Sequence, residues 1–198
     1  MSSNLPLDSA AATDRLLSAL AEQLSVVEQH YDLVVIGGSA LLALGLIARP
    51  TRDVDVLALA GPHGLTRAKP LPAPLVDAGA RVARDFDLSA DWLNSEPADM
   101  LRFGLPAGFA ERLDRREYGP FLTVRFASRF DQIHFKLYAV VDQGAGKHEA
   151  DLRSLGPIRE ELLSAARWSQ THDPSEGYRS VLVTVLAHFG VEDAGLSA

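Results

Sequence analysis

The sequence predicts an α+β (α/β) fold, a small sheet flanked by helices with a helical C-terminal part. Three observations predict it. The chain opens on an amphipathic helical stretch, short apolar runs at 33–36, 53–59 and 121–127 read as strands, and from about residue 129 the spacing is helical. The order is helix, strand, helix, strand, a mixed middle and a helical end.

Taken in turn, residues 8–30 place Leu16, Leu17, Leu20, Leu24 and Val27 at helical spacing, with Glu22, Gln23 and Glu28 between them. The run 33–36, LVVI, is a buried strand stopped by Gly37-Gly38. Ser39 can cap the next helix, ALLALGLI, which ends before Arg49-Pro50 because a residue preceding proline disfavours the α region. The alternating DVDVLAL at 53–59 is a second strand, and the Gly- and Pro-rich segment 61–74 is a loop. Residues 75–86 read as a helix, 90–94 as a short strand or turn, and 121–127 as a third strand. Helices are expected at about 129–142, 157–170 and 176–189. With no repeat, low-complexity run or linker, a core over 1–145 and a helical lobe over 146–198 packed on it are expected to form one compact unit.

Composition narrows the chemistry. The absence of cysteine excludes disulfides, thiolate metal sites and a cysteine nucleophile. The first residues carry neither a basic stretch nor an uninterrupted apolar one, and no apolar run approaches the roughly 18 residues that span a bilayer. A cytoplasmic protein with no membrane partner is therefore expected. The net charge of −7 gives no general attraction to nucleic acid, although Arg112, Arg115 and Arg116, followed by Arg125 and Arg129, form a local basic group. The plain reading of that group is a solvated helix end. The six histidines lack metal-ligand spacing, and neither a serine-hydrolase elbow nor a P-loop sequence occurs.

The stretch GGSALLALGLIARPTRDVDV at 37–56 carries the clearest signal. Side chains at i and i+2 of a strand share a face, so Asp53 and Asp55 project together while Val54 and Val56 enter the apolar side. Two neighbouring carboxylates repel unless a cation lies between them, and Mg²⁺ takes one or two carboxylates completed by substrate phosphates. The alternative is a strand edge with both aspartates solvated. Upstream, a strand ending in Gly37-Gly38-Ser39 at the start of a helix presents backbone N–H groups suited to phosphate, and glycine lets a ligand approach closely. The short helix brings the two halves to one cleft.

These residues resemble the first motif of the polymerase-β-like nucleotidyltransferase superfamily: a Gly-Gly turn, a short helix and Asp-x-Asp. The form Arg49-x-Thr51-x-Asp53-x-Asp55 is similar to that of the AbiEii and MenT toxin group. DWLN at 91–94, FDQIHFKLYAVVDQ at 130–143 and KHEADLRSL at 147–155 resemble further segments of that group, with His148 standing where its pattern has aspartate. The resemblance spans about residues 30–155 and implies a mixed sheet of the nucleotidyltransferase fold. It implies that Asp53 and Asp55 hold Mg²⁺ against the α-phosphate of an NTP and that Gly38 and Ser39 cradle the outer phosphates. It also implies that Lys136 and Arg49 neutralise charge and that Asp151 positions the acceptor hydroxyl or takes its proton, with Asp142 and Glu149 as other candidate carboxylates. The plain alternatives are a lysine whose head reaches water and an aspartate serving a helix N-terminus. The group's members are toxins that add nucleotides to tRNA 3′ ends, encoded beside an antitoxin. Modification of a small molecule such as an aminoglycoside, or of a protein hydroxyl, is an alternative. So is a catalytically silent binding protein, to which His148 points.

Overall fold

The computed structural model describes residues 7–192 and residue 195. Among them lie seven α-helices and six strands, divided into one compact unit ending at Ser128 and a second beginning at Arg129.

The first unit is a mixed sheet with helices. Its strands are β1 (Tyr31–Ile36), β2 (Val54–Gly61), β3 (Gly64–Arg67), β4 (Leu93–Asn94), β5 (Asp114–Glu117) and β6 (Leu122–Phe126). The sheet order is β3-β2-β1-β6-β5, with β4 pairing beside β2. β1 runs antiparallel to β2 and parallel to β6. Helices α1 (Ala10–Ser25), α2 (Gly37–Ala43) and α3 (Ala73–Asp85) accompany it. Leu17, Leu20 and Leu24 of α1, Leu33 and Val35 of β1, Val54 and Val56 of β2, Val82 of α3, Trp92, and Val124 and Phe126 of β6 form one buried apolar cluster. The fold class predicted from the sequence is the one observed.

Several elements differ from expectation for local reasons. α1 is capped by Ser9, whose Oγ accepts from Ala12 N at 3.2 Å, and it stops at Ser25. Val26 is 77% exposed, and Glu28 turns the chain at φ 51°, so Val27 lies outside the buried stripe. The segment 61–74 is not wholly a loop: Gly61 pairs with Gly64 across Pro62-His63, closing a β2–β3 hairpin. Of the basic group at 112–116, Arg112 does end a short 3-10 helix (Ala110–Arg112), whereas Arg115 and Arg116 lie on the edge strand β5 (Asp114–Glu117). Four consecutive charged residues hide its β period, and charge is how an edge strand resists further pairing.

The second unit contains α4 (Arg129–Gln143), α5 (Lys147–Ser154), α6 (Arg159–His172) and α7 (Glu176–His188). α4 packs against the other three. The short α5 was not anticipated as a helix: its eight residues carry a weak apolar stripe. Arg129 joins the start of α4 to α6, donating to Glu161 at 2.6 and 3.1 Å and to the carbonyls of Leu155 and Gly156 at 2.8 Å. Arg129, with the N–H of Ile158, holds the Glu161 carboxyl below its ordinary range against the opposing effect of burial. A carboxyl lowered in the folded state stabilises the fold above its unfolded pKa, and that contribution is lost as pH falls through its folded value. Removing the guanidinium in Arg129→Met is therefore expected to lower stability near neutrality and to shrink the loss between roughly pH 5 and pH 3. Urea titrations of both proteins across that range check this.

Candidate functional site

The site is built on the turn from β1 into α2. Gly37 turns the chain at φ +76°, where a side chain is strained, and a Cβ there would lie 2.5 Å from Oδ2 of Asp55. A Cβ on Gly38 would lie 2.8 Å from Oγ1 of Thr51 and 3.6 Å from an Nη of Arg49. The two glycines thus let a carboxylate, a hydroxyl and a guanidinium from the returning chain lie against bare backbone. α2 begins at Gly37, three residues earlier than expected, so Ser39 does not cap it. Ser39 instead sits inside the first turn, fully buried, with an Oγ that has no hydrogen-bond partner among the described residues. A buried hydroxyl left unpaired is costly unless something completes it.

The returning chain is fixed at both ends of its acidic pair. Thr51 exchanges backbone hydrogen bonds with Leu7, each 2.8 Å, and its hydroxyl donates to Asp53 Oδ1 at 3.0 Å. Asp55 faces Ile36 across the β1–β2 pair and Asn94 across the β2–β4 pair. Asn94 Nδ2 donates to Asp55 Oδ1 at 3.1 Å. Asp53 and Asp55 are half-buried and alternate with Val54 and Val56, which are in the core, so both carboxylates lie on the side of β2 away from it. A shift in the β1–β2 register leaves Leu57 between the pairs Val35↔Val56 and Val34↔Ala58. Such a bulge re-aims the strand locally.

Among the described residues, no group of three or more histidine, aspartate or glutamate side chains could hold a metal ion. The donor set here is two carboxylates beside a glycine cradle. That set fits a hard cation completing its coordination with water and phosphate oxygens, which is the habit of Mg²⁺, and it does not resemble a closed zinc site.

The turn therefore brings together Gly38, Ser39, Arg49, Asp53 and Asp55. The half-buried Arg49 also donates to the carbonyl of Pro50 at 3.2 Å. Lys136 and Asp151, in the second unit, are placed against each other: Nζ lies 2.9 Å from Oδ2, with side chains 6% and 1% exposed. The lysine head meets a carboxylate rather than water. Asp142 is exposed, and Glu149 is held below its ordinary range by Arg153, which donates to it at 2.9 and 3.0 Å. His148 contacts Gln143 Oε1 at 3.2 Å.

Thr51 and Asn94 are site residues to which reasoning from sequence gave no role of their own. Thr51 stood within the acidic motif, and Asn94 ended the DWLN element, a polar residue directly after two apolar anchors. Within the basic group, Arg115, Arg116 and Arg125 pair with carboxylates of the same chain. Arg115 pairs with Glu117 at 2.6 Å, Arg116 with Asp114 at 3.0 Å, and Arg125 with both oxygens of Asp32 at 2.8 Å.

The family model described as a nucleotidyltransferase of unknown function, DUF6036, matches residues 15–151. No curated protein and no solved structure matches the chain. The matched span runs from α1 through the glycine turn and the acidic pair to Asp151 and covers more than half of the sequence, so the chain belongs to this family and is a nucleotidyltransferase.

Proposed function

We propose that the protein is a Mg²⁺-dependent enzyme of the AbiEii/MenT kind, transferring NMP from an NTP to the 3′ end of a tRNA as the toxin of a toxin–antitoxin pair. The observation that carries the metal and nucleotide part is the juxtaposition of Asp53 and Asp55 with Gly37, Gly38 and the unpaired Ser39 hydroxyl. Asp53 and Asp55 would hold Mg²⁺, which would supply charge neutralisation at the α-phosphate. Backbone N–H groups at Gly38 and the Ser39 hydroxyl would bind phosphate oxygens, and Arg49 would offset their charge. The acceptor oxygen forms its bond to the α-phosphorus as the bond to the bridging oxygen breaks, pyrophosphate leaves, and the hydroxyl proton passes to a carboxylate base. Most of the rate in such a reaction comes from positioning and charge stabilisation. The roles of Lys136 as a triphosphate cation and Asp151 as the acceptor's base belong to this proposal, supported by the resemblance of their segments. Incubation with each NTP, Mg²⁺ and total tRNA, resolved on a gel, tests the acceptor.

A second reading, a small-molecule or protein hydroxyl as acceptor, is favoured by one observation: Arg115, Arg116, Arg125 and Arg129 each pair with a carboxylate of the same chain. The two readings separate by salt. If tRNA is the acceptor and these arginines exchange carboxylates for phosphates, modification falls steeply with salt. Arg115→Glu with Arg116→Glu then lowers the log–log slope by about 2 while sparing NTP binding. An unchanged slope in that variant assigns these arginines to the fold alone.

A further inference from the structure

We propose that Asn94 is a positioning residue that sets the carboxylate of Asp55 for a divalent cation, a role that rests on the reading of Asp53 and Asp55 as cation-holding. The placement of Asn94 is built from three anchors. The Trp92 indole, buried, donates to the carbonyl of Gly79 at 2.9 Å. The Trp92 carbonyl accepts from Val54 N, and the parallel register then sets Leu93 against Val54 and Asn94 against Asp55. Apolar anchoring thus delivers a polar side chain to one position beside the acidic pair.

The orientation of the amide is also fixed. Glu96 N donates to Asn94 Oδ1 at 2.9 Å, which makes that atom the acceptor and turns the NH₂ group toward Asp55 Oδ1, 3.1 Å away. A flipped amide would set an oxygen against the carboxylate and an NH₂ against an N–H. On the other side, Oδ2 of Asp55 is so close to Gly37 that a Cβ there would stand 2.5 Å from it. The carboxylate is therefore confined between the Asn94 amide and the glycine turn. Thr51 donates to Asp53 as Asn94 donates to Asp55, each a neutral donor to a carboxylate oxygen. A neutral donor orients a carboxylate without cancelling its charge, which is what a cation ligand needs.

The test is Mn²⁺ binding to the full-length protein without nucleotide, followed by the paramagnetic signal of free Mn²⁺, for wild type, Asn94→Leu, Asn94→Ala and Asp55→Asn. Asn94→Leu keeps the branching of the side chain and removes the donor; Asn94→Ala guards against misfit of the bulkier leucine. Loss of such a partner is expected to weaken Mn²⁺ about 10- to 100-fold in both Asn94 variants. The melting temperature without metal should stay near that of wild type. In turnover, the Mg²⁺ needed for half-maximal rate should rise while the rate at saturating Mg²⁺ largely recovers, a split that a purely structural residue would not produce. Mn²⁺ affinity within twofold of wild type in both variants, with Asp55→Asn abolishing binding, overturns the role of Asn94 and leaves the cation site standing. Unchanged binding in Asp55→Asn overturns the cation reading and this inference with it.

Discussion

Asp53→Asn and Asp55→Asn are each expected to lose about a thousandfold in nucleotide transfer, because a bound cation contributes several kcal/mol of charge stabilisation and each decade of rate is about 1.4 kcal/mol. Neither substitution should unfold the chain. The two carboxylates share one side of β2, so removing one charge relieves repulsion, and asparagine can still accept from Thr51 or Asn94 in the same place. A melting temperature at or slightly above that of wild type, together with lost transfer, is the expected pair of results. Full activity in either variant would remove that aspartate from the chemistry.

The largest expected effect on stability lies in the second unit. Lys136→Ala strands Asp151, whose side chain is 1% exposed, without its cation. Breaking a buried pair by removing one partner costs about 3–5 kcal/mol, a large share of the roughly 5–15 kcal/mol that holds a domain folded. Lys136→Met combined with Asp151→Leu removes both charges and should recover most of that loss, because apolar replacement of a whole buried pair is close to neutral. Urea denaturation of the single and double variants checks the energetics. Transfer by the double variant then separates the two roles of Lys136. A stable but inactive double variant supports the triphosphate cation and the base at Asp151, whereas a stable and active one makes the pair a packing device.

The legible parts of this chain were those in which one local rule decides the outcome. Strand β2 could be read because Val54 and Val56 alternate with Asp53 and Asp55, and both valines are in the core as that alternation requires. The Gly37-Gly38 break was visible as a turn, but its reason was not. Only the folded chain shows Asp55 and Thr51 lying against those glycines. β5 escaped because DRRE has no apolar phase to read, and α5 because its residues are mostly polar. Asn94 was hidden for a different reason. Its position depends on a parallel pairing between β4 and β2 that brings residues 39 positions apart to 3.1 Å, and no local pattern encodes such a pairing. Lys136 and Asp151 could each be picked out of the sequence, but their mutual pairing arises from the packing of α4 on α5.

The most direct measurement of the central claim is a label-partition experiment. Wild type and Asp55→Asn are incubated with Mg²⁺, total tRNA or candidate small alcohols, and NTPs labelled in parallel at the α- or the γ-phosphate. The account predicts that wild type places the α-label on an acceptor, that the γ-label leaves as pyrophosphate, and that Asp55→Asn does neither. An acceptor carrying the γ-label, or α-label transferred equally well by Asp55→Asn, would contradict it.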